Sequence, residues 1–277
     1  MADTDQVAIE LLGPDDAPAG LVLSTEAHWN QNEADWRFFL TKGTVFGARD
    51  DERRLVACAA LLPYGSGNAW ISMVLVTESW RRRGLATRLV DACLDAAARR
   101  GLTAWLDATP AGAKVYGPLG FAPTLQLRRL RLDHAISTKA EAPPSLSPCA
   151  VDTFTARDHL AMGFDRANLL RELSGRSGSR LVAGDNAMAL VRDGRKARHI
   201  GPLFANSPDD ALAMVNAIVQ SESGPLLIDA VNEQDSFLQR LTGSGWIIER
   251  PFQRMRFGPA AAPAAELPFA VAGPEYG

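Results

Sequence analysis

A basic, glycine-containing loop lies between an apolar, strand-type run and a helix-type segment, and this order limits the folds open to the chain. The apolar run covers residues 70–76, the loop covers residues 81–87, and the helix-type segment continues to about residue 100. The first backbone N–H groups of a helix have no partner within it, and the helix dipole adds partial positive charge there. Gly84 and Ala86 let a phosphate approach the backbone, and three arginines add fixed charge. The loop therefore predicts an anion site, with a positively charged surface loop at an ordinary helix start as the alternative.

The bulk properties of the chain restrict its function class. Its 277 residues allow one large domain or two domains of about 130 residues each. The net charge of −3 argues against a dedicated nucleic-acid binder. Cys58, Cys93 and Cys149 are far apart and predict neither a disulfide framework nor a zinc site. The first residues are acidic, unlike a signal peptide, and no apolar run approaches the roughly 18 residues of a membrane span. We expect a cytoplasmic protein with no metal, no membrane contact and no nucleic-acid partner.

Periodicity and turn residues in the first half predict the order β-αα-βββ-α-β-α-β. The predicted strands are residues 7–12, 44–49, 55–63, 69–76, 103–108 and 121–132, and the predicted helices are residues 15–29, 32–42, 84–101 and 112–119. A partial second copy has predicted helices 156–173, 208–219 and 234–241 and predicted strands 180–183, 188–192, 197–203, 226–231 and 246–257. The two copies and the Pro- and Ser-rich stretch between them predict the domain organisation. The first domain covers residues 1–134, the linker 135–150, the second domain 151–258 and a tail 259–277.

The spacing Arg81-x-x-Gly84-x-Ala86 resembles the signature of the GNAT N-acetyltransferases, whose corresponding loop holds the pyrophosphate of acetyl-CoA. Residues 106–112 (LDATPAG) and 29–36 (WNQNEADW) are similar to a bacterial tandem-domain subgroup of that family with a YitH-type C-terminal domain. The resemblance implies an α/β fold (α+β by some schemes) of two tandem GNAT-like domains, each a mixed, mostly antiparallel sheet flanked by helices. It also implies direct transfer of an acetyl group from acetyl-CoA to a primary amine.

The resemblance assigns specific residues to acetyl-CoA. The loop residues would be Arg81, Arg82, Arg83, Gly84, Leu85, Ala86 and Thr87, and the strand residues whose backbone pairs with the pantetheine arm would be Val74, Leu75 and Val76. Tyr116 would protonate the leaving thiolate as general acid, because a phenol with a pKa of about 10 stays protonated at neutral pH. A half-buried tyrosine with a hydrated hydroxyl is the alternative.

A base must remove a proton from the attacking ammonium, yet residues 69–76 contain no carboxylate. Glu33 and Asp35 are the candidate bases, Glu26 and His28 are weaker options, and an acidic helix face is the alternative interpretation. The candidate substrate-binding residues, by resemblance to the subgroup, are Asn30, Gln31, Asp165, Arg166 and His199. A strand or interface histidine is the alternative for His199. The base therefore stays unidentified.

The second half lacks the phosphate loop. Residues 201–211 carry no arginine, and Asp209 and Asp210 at a helix start would cap the helix and repel a pyrophosphate. We expect this half to complete the acceptor pocket or the domain interface, and residues 267–277 to dock on the body. A CoA-binding regulatory protein without catalysis and the transfer of a longer acyl group both remain open. A small-molecule amine is the expected partner, and its identity and the oligomeric state stay open.

Overall fold

The computed structural model describes residues 7–133, 146–259 and 264–277 and divides the chain into two compact units. The first unit comprises Met1–Leu106 with Arg256–Gly258, and the second comprises Asp107–Met255 with Pro259–Gly277. Each unit is a mixed, mostly antiparallel sheet flanked by helices, which confirms the predicted fold class. Among the described helices, none is both long and apolar enough to cross a membrane.

The first unit contains five strands in the order β1-β2-β3-β4-β5. The strands are β1 (Ile9–Leu11), β2 (Thr44–Arg49), β3 (Leu55–Tyr64), β4 (Asn68–Val76) and β5 (Thr103–Ala108), and the helices are α1 (Ala17–Glu26), α2 (Glu33–Lys42) and α3 (Leu85–Ala98). The first four strands pair antiparallel, whereas β4 and β5 pair in parallel. The helix α3 follows β4 and leads to β5, as a parallel crossover requires.

The core of the first unit is built around β3. Residues 55–62 are all buried, so both faces of this strand are covered, and α1, α2 and α3 all contact it. The helices α1 and α2 are tightly packed, since a Cβ atom on Gly20 would lie 2.3 Å from the Trp36 ring. The Trp36 indole donates a 3.0 Å hydrogen bond to the Ser24 hydroxyl, which satisfies its one polar atom. The helix pair is therefore a rigid support for the residues between its members.

The second unit contains seven strands in the order β12-β6-β11-β10-β9-β8-β7. The strands are β6 (Ala122–Leu132), β7 (Ser147–Pro148), β8 (Arg180–Ala183), β9 (Ala187–Arg192), β10 (Arg198–Ala205), β11 (Leu226–Val231) and β12 (Ile247–Phe257), and the helices are α4 (Pro110–Tyr116), α5 (Val151–Met162), α6 (Ala167–Gly175), α7 (Pro208–Ser221) and α8 (Asp235–Gly243). The strands β10 and β11 are parallel, and β11 pairs antiparallel with β6.

The structure refines the sequence prediction in the second half of the chain. The predicted helix 156–173 is two helices, because Gly163 ends α5 in a left-handed conformation with φ of 74°. The compact units divide after Leu106, and β6, which pairs with β11, belongs to the second unit. The predicted domain bounds stay a prediction. The predicted linker lies partly outside the described residues, and its described end includes the short strand β7.

Candidate functional site

The start of α3 is an exposed, uncapped helix terminus. Gly84 is its N-cap in a left-handed conformation with φ of 76°, and no described side chain caps it. The first intrahelical hydrogen bond runs from the Arg88 N–H to the Gly84 carbonyl at 3.1 Å. The N–H groups of Leu85, Ala86 and Thr87 are therefore outside the helical ladder, as at any helix start. A negatively charged group can accept hydrogen bonds from them.

The loop before this terminus provides space and positive charge. A Cβ atom on Gly84 would have no atom within 4 Å, so the terminus is open. Arg81, Arg82 and Arg83 are all exposed. Two of them are anchored at the loop, because Arg81 Nε donates to the Val76 carbonyl at 3.1 Å and the Arg83 guanidinium lies 4.8 Å from the Trp80 ring centroid. The predicted phosphate-loop residues are thus brought together in one open, basic helix start.

The strand β4 separates from β5 after three residue pairs. The two strands pair from Asn68 with Thr103 to Trp70 with Trp105. Met73 then takes a left-handed conformation with φ of 52°, and the register of β4 with β3 shifts at this point. This irregularity is typical of a β-bulge, which re-aims a strand and ends its pairing.

The bulge leaves the end of β4 suited to a ligand that pairs with backbone. Leu75 is buried, while Val74 and Val76 are partly buried. Ser72 is also buried, and its Oγ has no hydrogen-bond partner among the described residues. The predicted pairing of residues 74–76 with a pantetheine arm stays a prediction, and the separation of β4 from β5 is compatible with it.

The predicted base Asp35 forms a structural cap. Its Oδ2 accepts from the Asn32 N–H at 2.9 Å, and the Asn32 Oδ1 accepts from the Asp35 N–H at 3.1 Å. This reciprocal pair is a capping box at the start of α2, and Asp35 is fully buried in it. A carboxylate held in this way cannot reach a substrate amine without breaking the cap. Asn30 and Gln31 before it are also buried, and the Gln31 Oε1 has no partner among the described residues.

The other candidate carboxylates of this region are accessible. Glu33 is half-exposed and forms a 2.5 Å ion pair with Arg37 one turn later. Glu26 lies at the end of α1. Both line an open groove of about 480 Å³. The rest of its wall is mainly apolar and is formed by Pro18, Leu21, Val22 and Thr25 of α1. The groove combines an apolar wall with two carboxylates, a composition that suits an amine on an aliphatic framework.

Tyr116 is the last residue of α4, in the second unit, and is 9% exposed. Its ring lies close to the helix backbone, since a Cβ atom on Gly112 would be 2.9 Å from it. Thr109 caps this helix by accepting from the Gly112 N–H at 3.2 Å. The LDATPAG run thus builds a short, capped helix whose small residues make room for the tyrosine ring. Its role as general acid stays a prediction.

Two of the three substrate-binding candidates in the second unit are internal. Arg166 is buried and donates to both carboxylate oxygens of Asp158, at 2.8 and 2.7 Å. His199 is 1% exposed, and its Nε2 lies 2.8 Å from Oδ2 of Asp229. Asp165 is exposed and accepts from the Ala167 N–H at 2.7 Å. Within this unit Arg166 and His199 hold other residues in place, and contact of any of the three with a substrate stays a prediction.

Burial and the neighbouring Arg192 lower the pKa of His199 in the folded protein. Their effect exceeds that of the Asp229 contact, which raises this pKa. Burial alone would raise the pKa of Asp229, but the Arg129 guanidinium and the His199 hydrogen bond hold it well below its usual range. Arg129 donates to both oxygens of Asp229, at 2.8 and 2.7 Å.

Sequence reasoning missed the buried ion pairs, and two of them join residues that are far apart in the chain. The first joins Arg129 to Asp229, and the second joins Arg254 to Asp107 through two 2.9 Å hydrogen bonds. Both join residues at least 100 positions apart, and no local pattern indicates such a pair. The available signal is a single Asp within an otherwise apolar strand, as in β5 and β11, because a buried charge requires a partner.

In the second unit, the start of α7 corresponds to the phosphate loop. Side chains of α7 and its N-cap residue occupy this helix start. Ser207 caps α7 by accepting from the Asp210 N–H at 3.1 Å, and it donates to the Asp210 carboxylate at 2.6 Å. Asp209 pairs with Arg240. Two carboxylates therefore lie in the first turn of α7, where the helix dipole stabilises them and an added phosphate would meet repulsion.

Comparison with known proteins gives the same family for both parts of the chain. Residues 15–121 match a model described as the acetyltransferase (GNAT) family, and residues 155–268 match one described as an acetyltransferase (GNAT) domain. The chain is 26% identical over 235 residues to a protein of Bacillus subtilis described as the uncharacterised N-acetyltransferase YitH, and the match covers 82% of this chain and 83% of that protein.

Solved structures share the fold over nearly the whole chain. One, described as an acetyltransferase from Pyrococcus horikoshii, has a TM-score of 0.81 at 20% identity and covers 97% of this chain and 95% of its own. Another, described as a tandem GNAT protein from the clavulanic acid biosynthesis pathway, has a TM-score of 0.67 at 14% identity and covers 92% of this chain and 100% of its own. At these identities the likeness concerns the fold.

Proposed function

We propose that this chain, which belongs to the acetyltransferase (GNAT) family, transfers an acetyl group from acetyl-CoA to a primary amine. Family membership makes the chain an acyltransferase with two tandem GNAT domains. The observation that carries the choice of donor is the open start of α3. Gly84 leaves space there, three helix N–H groups point out of the ladder, and Arg81 and Arg83 are anchored beside it. These groups suit a pyrophosphate.

We propose direct transfer, in which the amine nitrogen attacks the thioester carbonyl and the thiolate of CoA leaves. The backbone of residues 74–76 would orient the pantetheine arm, as in the family it resembles. Tyr116 would give its proton to the leaving thiolate. The attacking ammonium must first lose a proton. Of the two main base candidates, Glu33 and Asp35, Glu33 has the accessible carboxylate and would act directly or through water.

The acceptor we propose is a small-molecule amine that is cationic before reaction. The groove beside α1 supports this class, because Glu26 and Glu33 line it together with apolar side chains. A CoA-binding protein without catalysis is the second candidate function. The observation that favours it is β4, whose residues Asn68–Val76 contain no carboxylate that could serve as a base.

Calorimetry with acetyl-CoA tests the donor site, and the chain offers a matched pair of glycines. Gly84 and Gly101 both have left-handed φ angles and both face open space. Glutamate at either position carries the same backbone cost of roughly 1–2 kcal/mol. Gly84→Glu should weaken acetyl-CoA binding at least about 100-fold, or about 2.7 kcal/mol, while Gly101→Glu leaves it unchanged. Equal effects of the two substitutions would refute the site.

Thiol release separates the enzyme from the pure binder. Incubating the protein with acetyl-CoA and a panel of small amines should release free CoA thiol above the hydrolytic background for at least one acceptor. Binding of acetyl-CoA with no release for any amine would favour the second candidate function.

A further inference from the structure

The gap between β10 and β11 in the second unit is filled by the chain itself. These two parallel strands pair from Arg198 with Leu226 to Ile200 with Ile228, and the register of β10 with β9 is irregular just beyond. Past that point Ala270 bridges both strands, lying antiparallel to Leu203 on one side and to Ala230 on the other. A segment from the end of the chain therefore separates β10 from β11.

Backbone hydrogen bonds hold this segment to both strands. Toward β10, the Phe269 N–H donates to the Leu203 carbonyl at 2.9 Å and the Leu203 N–H donates to the Ala270 carbonyl at 3.0 Å. Toward β11, the Val231 N–H donates to the Phe269 carbonyl and the Val271 N–H to the Asp229 carbonyl, both at 3.0 Å. The buried polar groups that strand separation would leave unpaired are thus satisfied.

Side-chain contacts also hold the segment and the residues that follow it. Phe269, Ala270, Val271 and Ala272 are all buried, and the Phe269 ring packs edge-on against Phe237 with centroids 5.3 Å apart. Arg192 donates to the Ala272 carbonyl at 2.9 Å and to the Glu275 carboxylate at 2.7 Å. Arg166 donates to the Tyr276 carbonyl at 2.9 Å, and the Tyr276 ring is fully buried. The closing residues are an integral part of this unit.

The first unit has the same strand geometry. There β4 and β5 pair in parallel over three residues, as β10 and β11 do, and each of β4 and β10 then becomes irregular. Met73 in β4 and Leu203 in β10 each lie three residues after the last residue that pairs in parallel. Among the described residues of the first unit, no segment is hydrogen-bonded between β4 and β5 in the way that residues 269–271 are between β10 and β11.

We propose that residues 269–272 permanently occupy, in the second unit, the place that the pantetheine arm of acetyl-CoA takes in the first. The comparison with pantetheine rests on the function proposed above. Both occupants offer amide groups to the facing edges of two separated parallel strands, which is strand addition to a sheet edge. The second unit therefore needs no cofactor to complete its sheet, and the chain binds one acetyl-CoA. The capped start of α7 agrees with this, since it offers no phosphate site.

Hydrogen exchange measured by mass spectrometry on the full chain, with and without acetyl-CoA, tests the proposal. The amides of Leu203, Val231 and Val271 should be protected in both conditions, with exchange half-lives that agree within about twofold. Residues 71–76 should gain protection only when acetyl-CoA is added. Calorimetry should give one acetyl-CoA per chain.

Substitutions in the segment provide a second test. Ala270→Glu places a charge at a fully buried position and should abolish the protection of Leu203 and Val231. Ala264→Glu, at an exposed position five residues before Phe269, is the control and should leave the protection intact. If Ala270→Glu does not fold, Ala270→Ser should still shorten the half-lives of the same amides.

The two possible failures are distinguishable. Rapid exchange at Leu203 and Val231 in the unaltered protein, or two acetyl-CoA molecules per chain, would overturn the proposed occupancy while leaving the first site intact. Absence of any acetyl-CoA binding would instead overturn the proposed function and, with it, the comparison to pantetheine.

Discussion

The carboxylate of Glu26 accepts a 2.6 Å hydrogen bond from the Thr77 hydroxyl and a 2.7 Å hydrogen bond from the Glu78 N–H. These contacts join the end of α1 to the chain that leads from β4 into the arginine loop. The pKa of the Glu26 carboxyl is lowered, and the Thr77 hydrogen bond is the largest cause. The Glu78 N–H and Arg81 lower this pKa further. Glu26 also lines the groove proposed for the amine. One carboxylate therefore connects the proposed acceptor groove with the proposed donor loop.

Glu26→Ala should raise the Kd for acetyl-CoA several-fold and lower the unfolding free energy by roughly 1 kcal/mol, because the site is largely exposed and its hydrogen bonds are screened. Calorimetry and urea unfolding measure the two effects. Because the pKa of Glu26 is lowered in the folded protein, its stabilising contribution is complete above the ordinary value of 4.5 and is lost as the pH falls below it.

Thr77→Val is the matched control for Glu26, since it removes one hydrogen bond and keeps the contact with the Glu78 N–H. Its effect on acetyl-CoA binding should be smaller than that of Glu26→Ala. If the alanine variant binds acetyl-CoA as tightly as the unaltered protein, the contact has no part in organising the loop.

Tyr116→Phe should lower turnover about 100-fold while the Kd for acetyl-CoA stays the same, because the variant keeps the ring and loses only the proton donor. Single-turnover measurements of thiol release, together with calorimetry, separate the two quantities. Tyr64→Phe, at the end of β3, is the control and should not change turnover. Unchanged turnover of the Tyr116 variant at every pH would exclude it as the general acid.

Most of the fold could be predicted from the sequence because its signals are local. Alternation and helical periodicity located the strands and helices, and the spacing around Gly84 located the helix start that the structure leaves open. The family match confirms the resemblance on which the two-domain fold was predicted. The predicted helix 156–173 was wrong in one respect, since the periodicity continues across Gly163 while the backbone does not.

The parts that could not be predicted depend on contacts between distant residues. The pairing of β6 with β11 places β6 in the second compact unit. No sequence pattern within either strand indicates which strand it pairs with. Asp35 shows a different limit, because the sequence does not indicate that its carboxylate is held in a capping box, and its role as a base stays a prediction. The insertion of residues 269–272 between β10 and β11 likewise needs the tertiary structure to be seen.

Arg254→Met should destabilise the protein by about 3–5 kcal/mol, because it leaves the buried carboxylate of Asp107 without its bidentate partner. Burial raises the pKa of Asp107, and Arg254 opposes that effect. Adding Asp107→Leu to the Arg254 variant should recover part of the lost stability, since an apolar pair needs no compensating charge. Urea unfolding of both single variants and the double variant gives the interaction free energy between Arg254 and Asp107. A cost below about 1 kcal/mol for Arg254→Met would mean that water screens the pair.

His199 should make the stability of the protein pH-dependent on the acidic side of neutrality. Burial and Arg192 lower its pKa in the folded protein, so the unfolded chain takes up a proton first as the pH falls below the ordinary value of 6.5. Asp229 and Glu275 oppose the shift, and Arg129 donates to the Asp229 carboxylate. The free energy of unfolding should therefore fall below pH 6.5, by at most about 1.4 kcal/mol per pH unit for this single group.

His199→Gln keeps a donor for Asp229 and removes the titrating ring, so its unfolding free energy should depend less on pH than that of the unaltered protein. Urea unfolding at pH 5.5 to 7.5 measures both slopes. His159→Gln, on the exposed side of α5, is the control and should retain the slope of the unaltered protein. Equal slopes for the His199 variant and the unaltered protein would show that folding does not shift the pKa of His199, and would contradict the prediction.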